Sequence, residues 1–97
     1  MAEKINRCAG EPERRQIAAL DLDLCGDFLL YEIPKNFQHL RKSDLILTAD
    51  WRFKTRQVFQ HYLIAGYIVT DLVLIDGLPH YLLSGKISQK EKPKGED

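Results

Sequence analysis

The segment that most constrains the fold is a helix-like run that ends at a glycine. Its apolar residues recur at steps of three and four, which places them on one face of an α-helix. They are Leu47, Trp51, Thr55, Val58, Phe59, Tyr62 and Leu63. Ser43-Asp44 supplies an N-cap and a first-turn carboxylate, and Gly66 can take the left-handed conformation of a C-terminal cap. The pattern therefore predicts one long amphipathic helix over about residues 44–65.

The residues after this helix predict a β-hairpin. YIVTDLVLI, residues 67–75, is rich in β-branched side chains, and LPHYLLSG, residues 78–85, returns as the partner strand. Asp76-Gly77 between them favours a tight type I′ turn. Pro79 cannot donate to a ladder, which predicts an edge position or a longer loop that excludes it. Because both strands are apolar at nearly every residue, we expect the helix to cover one face and a further surface, such as a second copy, to cover the other.

The first third of the chain leaves two interpretations open. Residues 1–12 are polar and predict a flexible segment. From Pro12 to Leu20 one interpretation is a short helix, because proline suits the first helical position. The other is a strand that begins near Ile17, since LDLDL alternates apolar with acidic residues. DLDLCGDFLLYEI, residues 21–33, is then typical of a hairpin with its turn at Cys-Gly-Asp.

The elements together predict the fold class. Pro34 ends the strand before it, and residues 35–42 predict a short helical turn. We predict an α+β fold in which a small, mostly antiparallel sheet packs on one long helix. The predicted single domain spans residues 13–85, after the flexible segment and before a disordered charged tail at residues 86–97.

Composition argues against several functional classes. The 97 residues carry 14 basic and 14 acidic side chains, so no global charge attracts nucleic acid or an anionic membrane, and none opposes self-association. No run approaches the ~18 apolar residues of a membrane span, and the N-terminus lacks the apolar centre of a signal peptide. We therefore expect a cytoplasmic protein without membrane contact. Cys8 and Cys25 lack metal-site spacing, as do His39, His61 and His80, which predicts free thiols and no metal.

Residues 62–67, Tyr-Leu-Ile-Ala-Gly-Tyr, resemble the Y-x-x-x-G-[FY] element of GNAT acetyltransferases. A wider stretch, about residues 26–84, is similar to the C-terminal portion of a group of uncharacterised GNAT-like proteins. The shared positions are Glu32-Ile33-Pro34, Phe37, Leu40, Trp51-Arg52, Arg56, Phe59 and Gly66-Tyr67-Ile68-Val69. The resemblance implies the C-terminal half of a GNAT fold, in which a helix ends in this element and feeds the last two strands.

The resemblance also implies a catalytic role for one tyrosine. In GNAT enzymes this tyrosine commonly returns a proton to the departing coenzyme A thiolate, and that role falls on Tyr62. The alternative is that Tyr62 is a packing residue of the apolar stripe. The chain lacks the [QR]-x-x-G-x-[GA] loop with which GNAT enzymes bind the pyrophosphate of acetyl-CoA, and Thr55 stands where asparagine is common. We therefore predict no cofactor for the chain alone, and acetyl-CoA only if a partner supplies the missing half.

Arg52 and Arg56 lie one turn apart beside Trp51, which predicts a ligand site for a phosphate or carboxylate, or else a solvated helix face. Three functional hypotheses follow. The first is a small self-associating or partner-binding module, hence a homo-oligomer or a protein complex. The second is an acyltransferase completed by a partner. The third is a winged-helix nucleic-acid-binding protein with residues 67–84 as the wing, against which the neutral charge and the cation-free tip IDGLP both argue.

Overall fold

A computed structural model describes residues 2–85 and places them in an α+β architecture. In chain order the elements are β1 (Glu3–Lys4), β2 (Asn6–Ala9), β3 (Gln16–Leu20), β4 (Phe28–Glu32), α1 (Phe37–Ser43), α2 (Leu45–Ile64), β5 (Ile68–Ile75) and β6 (Leu78–Ser84). One sheet has the strand order β1-β4-β6-β5, and β2 and β3 form a separate two-stranded ladder. Because β1 runs parallel to β4 while the other neighbours are antiparallel, the four-stranded sheet is mixed. The predicted α+β class is confirmed.

The long helix α2 begins and ends where its capping signals predict. The Asp44 carboxylate accepts a hydrogen bond from the Leu47 N–H at 2.9 Å, so Asp44 is the N-cap. The prediction that Ser43 is the N-cap is wrong, because Ser43 is the last residue of α1. At the other end Gly66 has a φ of 109°. The Tyr67 N–H donates to the Tyr62 carbonyl and the Gly66 N–H to the Leu63 carbonyl, the pair of bonds that defines a Schellman cap. The chain is thereby turned out of the helix and directed into β5.

We expect Gly66→Ala to lower the free energy of unfolding by about 1–2 kcal/mol, because a Cβ is strained at a left-handed φ. Urea unfolding of the purified chain measures this loss. Gly26→Ala is the matched control, since Gly26 has no positive φ and a new Cβ there meets only the Glu3 carboxylate, at 3.4 Å. Equal losses in the two variants would contradict the capping role of Gly66.

The C-terminal hairpin forms as predicted, but its proline lies in an interior strand. Asp76 and Gly77 have φ values of 54° and 78°, as a type I′ turn requires. β6, which contains Pro79, pairs with β4 on one side and β5 on the other, so the edge prediction is wrong. The ladder tolerates Pro79 because β4 ends at Glu32. Beyond that end the Pro79 carbonyl still accepts a bond from the Ile33 N–H at 3.0 Å.

The N-terminal segment is part of the fold, and its predicted flexibility over residues 1–12 is wrong where strands form. β1 and β2 occupy Glu3–Lys4 and Asn6–Ala9, and Ile5 and Asn6 are buried. The Asn6 side chain donates to the Glu32 carbonyl at 2.9 Å and accepts from the Glu32 N–H at 2.8 Å. The Asn6 side chain thus makes the two backbone hydrogen bonds that a neighbouring strand would otherwise make with Glu32. The polar composition of residues 1–12 does not indicate this role. The predicted tail at 86–97 lies outside the described residues.

The region before β4 follows the strand interpretation, with a partner that the sequence did not predict. β3 covers Gln16–Leu20, so the helix from Pro12 is wrong and the strand near Ile17 is confirmed. β3 pairs with β2, however, and residues 21–27 form no ladder, so the hairpin predicted over 21–33 is wrong. Tyrosine hydroxyls bind this irregular backbone instead, as Tyr62 donates to the Asp21 carbonyl and Tyr67 to the Gly26 carbonyl, each at 2.7 Å.

Helix α2 packs on one face of the sheet and covers β4 and β6. The Tyr31 hydroxyl lies 2.7 Å from the Thr55 hydroxyl, and the Phe59 ring lies between the rings of Tyr31 and Tyr81, at 5.6 and 5.7 Å. The same face of β5 continues this row through Leu72, the register partner of Tyr81. The exposure of Leu72 shows that the helix does not reach this outer strand.

Candidate functional site

A pocket of about 570 Å³ opens where the end of β4, helix α1 and the first half of α2 meet β6. It is lined by Ile33, Pro34, Phe37, Trp51, Arg52, Thr55, Arg56 and Tyr81. Its volume falls within the range of roughly 300–1,000 Å³ that small-molecule sites occupy. Three aromatic rings and two guanidinium groups therefore surround one cavity.

The fold fixes most of the pocket wall in place. Trp51 is fully buried apart from the edge it presents to the pocket, and its Nε1 donates to the Arg15 carbonyl at 2.9 Å. The Thr55 hydroxyl is bonded to that of Tyr31, which ties α2 to β4 under the pocket. The guanidinium carbon of Arg52 lies 5.7 Å from the centre of the Phe37 ring, within cation–π distance. The aromatic walls and one arginine are thus held before any ligand arrives.

The charge of the lining is positive. Residues 2–85 contribute Arg52 and Arg56 to it, and no carboxylate. The nearest acidic residue along the helix, Asp50, pairs with Lys54 at 3.1 Å. Among residues 2–85 neither pocket arginine takes part in an ion pair. The site can therefore provide two uncompensated guanidinium groups to an anion.

The structure brings three of the four predicted site residues together. Trp51, Arg52 and Arg56 all line the pocket. The prediction that Arg52 and Arg56 share one helix face beside Trp51 agrees with this placement. Tyr62 lies elsewhere and is 1% exposed. Its hydroxyl donates to the Asp21 carbonyl at 2.7 Å and accepts from the Leu24 N–H at 3.2 Å, and burial raises its pKa. Both hydrogen bonds of the hydroxyl therefore go to the backbone of the segment before β4, and the ring is part of the core.

Sequence reasoning missed several walls of the pocket. Phe37 belongs to the shared positions of the resemblance, yet nothing in its neighbourhood predicts a cavity. Tyr81 gives no signal at all, because its position depends on the register in which β6 pairs with β4. Pockets built from four separate elements depend on such long-range pairings, which a local pattern does not encode.

A second polar cluster lies away from this pocket, around the Glu32 carboxylate. Glu32 is buried and accepts two hydrogen bonds from Arg15, at 2.8 and 3.1 Å, while the Lys4 ammonium lies 3.7 Å away. Burial acts to raise the pKa of Glu32, but the bonds and charge of Arg15 outweigh it and the pKa is lowered. Burial beside this carboxylate raises the pKa of the Cys8 thiol to about 12. A thiol so protonated is a poor nucleophile.

His80 pairs with Glu32 across the β4–β6 ladder and is also buried. Its Nδ1 lies 2.9 Å from the Leu78 carbonyl, and its Nε2 is buried without a hydrogen-bond partner among the described residues. Burial lowers the pKa of this imidazole, which keeps it neutral at neutral pH. In that form Nδ1 donates to Leu78, and only a lone pair on Nε2 is left unpaired.

The outer strand β5 is one of two further apolar surfaces that the fold leaves exposed. The other lies on α2 and consists of Leu45, Ile46, Phe53, Leu63 and Ile64. It lies at the end of the strand order, so its outer edge faces no strand within residues 2–85. Four of its large apolar side chains are exposed: Val69, Leu72, Leu74 and Ile75. Leu74 is 73% exposed and Leu72 is 56% exposed, although both lie in a regular stretch of the strand.

Comparison of the chain with protein-family models, with curated proteins and with solved structures finds no match in any of the three. The GNAT-like relationship therefore stays a prediction from the residues quoted above. Within residues 2–85, neither helix combines the length and apolar character needed to cross a membrane.

Proposed function

We propose that the chain is a small interaction module that self-associates by pairing the outer edge of β5 with the same strand of a second copy. The observation that carries this proposal is an eight-residue edge strand whose apolar side chains are exposed. A long, exposed, apolar edge offers a row of unpaired N–H and C=O groups to another chain. Natural monomeric proteins usually carry features that prevent such an edge from pairing with another chain.

Few of the usual protective devices occur on β5. The strand contains no proline and no lysine, and Asp71 is its only charged residue. The register irregularity against β6 lies between Val69 and Asp71, near the start of the strand. Residues 71–75 therefore form a regular extended stretch. One backbone donor in it, the Leu72 N–H, bonds the Asp71 carboxylate at 2.8 Å, so Val73, Leu74 and Ile75 offer the least obstructed part of the strand.

The edge is self-complementary in an antiparallel arrangement. A two-fold axis through Val73 would place Leu72 opposite Leu74 of the second copy. Apolar side chains would then meet on the α2 side of the sheet, over the outer strand that the helix does not reach. Asp71 would then lie opposite Ile75 rather than opposite a second carboxylate. The zero net charge of the chain adds no long-range repulsion between copies. Two four-stranded sheets would join into one.

The two other functional hypotheses have less support from this geometry. The helix that ends at Gly66 and feeds two final strands agrees with the GNAT-like resemblance, but the two hydrogen bonds of the Tyr62 hydroxyl favour its packing role over a partner-completed acyltransferase. A winged-helix protein would present its hairpin freely to DNA. Here β6 is paired with β4 along the sheet, which argues against a free wing.

Double substitution of Leu72 and Leu74 by lysine should abolish self-association, because two cations on the edge of each copy would oppose pairing. Sedimentation equilibrium over two decades of concentration measures the mass. We expect the unmodified chain to shift from one copy to two as concentration rises, and the double variant to keep the mass of one copy.

The matched control replaces Leu45 and Ile46 by lysine, since these residues are 74% and 85% exposed on α2 and lie outside β5. This control should still form dimers at the concentrations at which the unmodified chain does. A single-copy mass for the unmodified chain at every concentration would contradict the proposal, as would equal losses in the two double variants.

A further inference from the structure

We propose that the pocket between α1, α2 and β6 binds a small organic acid, a carboxylate attached to an aromatic or branched apolar body. The pocket is independent of the β5 edge, because none of its lining residues belongs to that strand. Ligand binding at this pocket and self-association through β5 can therefore be tested independently of each other.

The apolar part of the ligand is defined by the walls. Phe37, Trp51 and Tyr81 supply three ring faces or edges, and Ile33 and Pro34 supply aliphatic surface at the end of β4. Aromatic walls favour flat or branched apolar groups, which they contact over a large area at little cost in side-chain entropy. A cavity of about 570 Å³ is large enough for a single ring with a short chain.

The acidic part of the ligand is defined by the two arginines. Arg52 and Arg56 are four residues apart on α2, so their side chains project from one helix face. A planar guanidinium can donate two parallel hydrogen bonds to a carboxylate, which fixes both its position and its orientation. Arg52 is already positioned over Phe37, and Arg56 has no ion pair or hydrogen bond among the described residues.

The other side-chain hydroxyls of the wall are neutral. That of Thr55 is bonded to Tyr31 at 2.7 Å, and that of Tyr81 makes no hydrogen bond among the described residues. Because residues 2–85 contribute no carboxylate to the lining, a cationic ligand would meet the two like charges of the arginines there. The arrangement thus selects an anion at the arginines and an apolar group beyond them.

The test uses the single tryptophan, Trp51, as a reporter, since it lies in the pocket wall. Titration with 4-phenylbutanoate should give a saturable change in its fluorescence. The neutral 4-phenylbutanamide, which has the same shape, should bind at least about tenfold more weakly, the cost of losing one charge-assisted hydrogen bond. Phenyl phosphate is the third probe, and its affinity shows whether the arginines bind a phosphate more tightly than a carboxylate.

Variants of the arginines complete the test. Arg52→Gln combined with Arg56→Gln should weaken 4-phenylbutanoate binding at least about tenfold, and the double lysine variant should bind with intermediate affinity, because it keeps the charge and loses the planar fork. Arg7→Gln is the control, since Arg7 is exposed on β2 and does not line the pocket. Equal urea midpoints for all variants would show that the fold is intact.

Three results would overturn the proposal. One is the absence of any saturable change with the acid. Another is equal affinity for the acid and the amide, or for the unmodified chain and the double glutamine variant. The third is tighter binding of phenyl phosphate than of 4-phenylbutanoate, which would replace the carboxylate by a phosphate.

Discussion

Arg15→Met should lower the free energy of unfolding by about 3–5 kcal/mol, the usual cost of removing one partner from a buried ion pair. The side chain of Glu32 is fully buried, and Arg15 donates two hydrogen bonds to its carboxylate. Methionine fills a similar volume but leaves the carboxylate, among the described residues, with the Cys8 thiol and the Lys4 ammonium 3.7 Å away. Such a loss is a large fraction of the ~5–15 kcal/mol that stabilises a typical domain. Chemical denaturation monitored by circular dichroism measures it.

The neighbouring residue is the matched control. Arg14 also pairs with a carboxylate, that of Asp44, at 2.8 Å, but about half of the Arg14 side chain is in solvent. An exposed pair of this kind contributes about 0–1 kcal/mol, so Arg14→Met should have little effect. Similar losses at positions 14 and 15 would show that burial of Glu32 is not what makes its ion pair important.

The stability that Arg15→Met loses should also be smaller in mild acid than at neutral pH. In the unmodified chain the pKa of Glu32 is lowered below its unfolded value, so its contribution is present above about pH 4.3 and is lost as the pH falls through the folded pKa. Without Arg15, burial dominates and raises that pKa. As the pH falls, Glu32 of the folded variant takes up a proton, which removes part of the free-energy cost of burying an unpaired carboxylate. The difference in unfolding free energy between the two proteins should therefore shrink between pH 7 and pH 5; a constant difference would contradict this account.

Tyr62→Ala should lower the free energy of unfolding by about 3–5 kcal/mol, the range for truncating a large aromatic side chain in a core. Tyr62 is 1% exposed, packs edge-on against the Tyr67 ring at 5.3 Å, and holds the irregular segment before β4 through its hydroxyl. Tyr62→Phe keeps the ring and should cost about 1–2 kcal/mol, because the Asp21 carbonyl and Leu24 N–H lose a partner. Thermal and urea unfolding measure both losses.

Tyr81→Phe is the control for the hydroxyl, since that of Tyr81 makes no hydrogen bond among the described residues. We expect a change of less than about 0.5 kcal/mol there. A Tyr62→Phe variant with unaltered stability would contradict the packing role. If a partner completes an acyltransferase, loss of acetyl-CoA turnover by that complex in a stable Tyr62→Phe variant would favour the catalytic role that the GNAT-like resemblance implies.

The parts of the fold that the sequence predicts are those with local physical causes. Helix α2 is predictable because its apolar stripe, a capping signal at Ser43-Asp44 and the Gly66 stop all lie within one segment, although the cap itself is Asp44. The turn at Asp76-Gly77 is predictable because only a few residue pairs tolerate two positive φ values in succession. Within the site, Arg52 and Arg56 are predictable as a pair for the same reason, since helical periodicity alone places them together.

The parts that the sequence does not predict depend on partners far along the chain. Asn6 looks like a residue of a polar tail, and only its two bonds to the Glu32 backbone, 26 positions away, make it part of the core. Arg15 belongs to a charged run that is typical of a solvated loop, yet it neutralises a buried carboxylate. Tyr81 lies in the pocket wall because of the register in which β6 pairs with β4. Each of these placements requires the tertiary fold before it can be recognised.

The measurement that tests self-association most directly is amide hydrogen exchange of β5 at low and high protein concentration. If the outer edges of two copies pair, the alternate amides of Ile68–Ile75 that point away from β6 should exchange more slowly as concentration rises, while those of the interior strand β6 should not change. Exchange at β5 that is fast and independent of concentration would contradict the account, whatever mass the chain shows in solution.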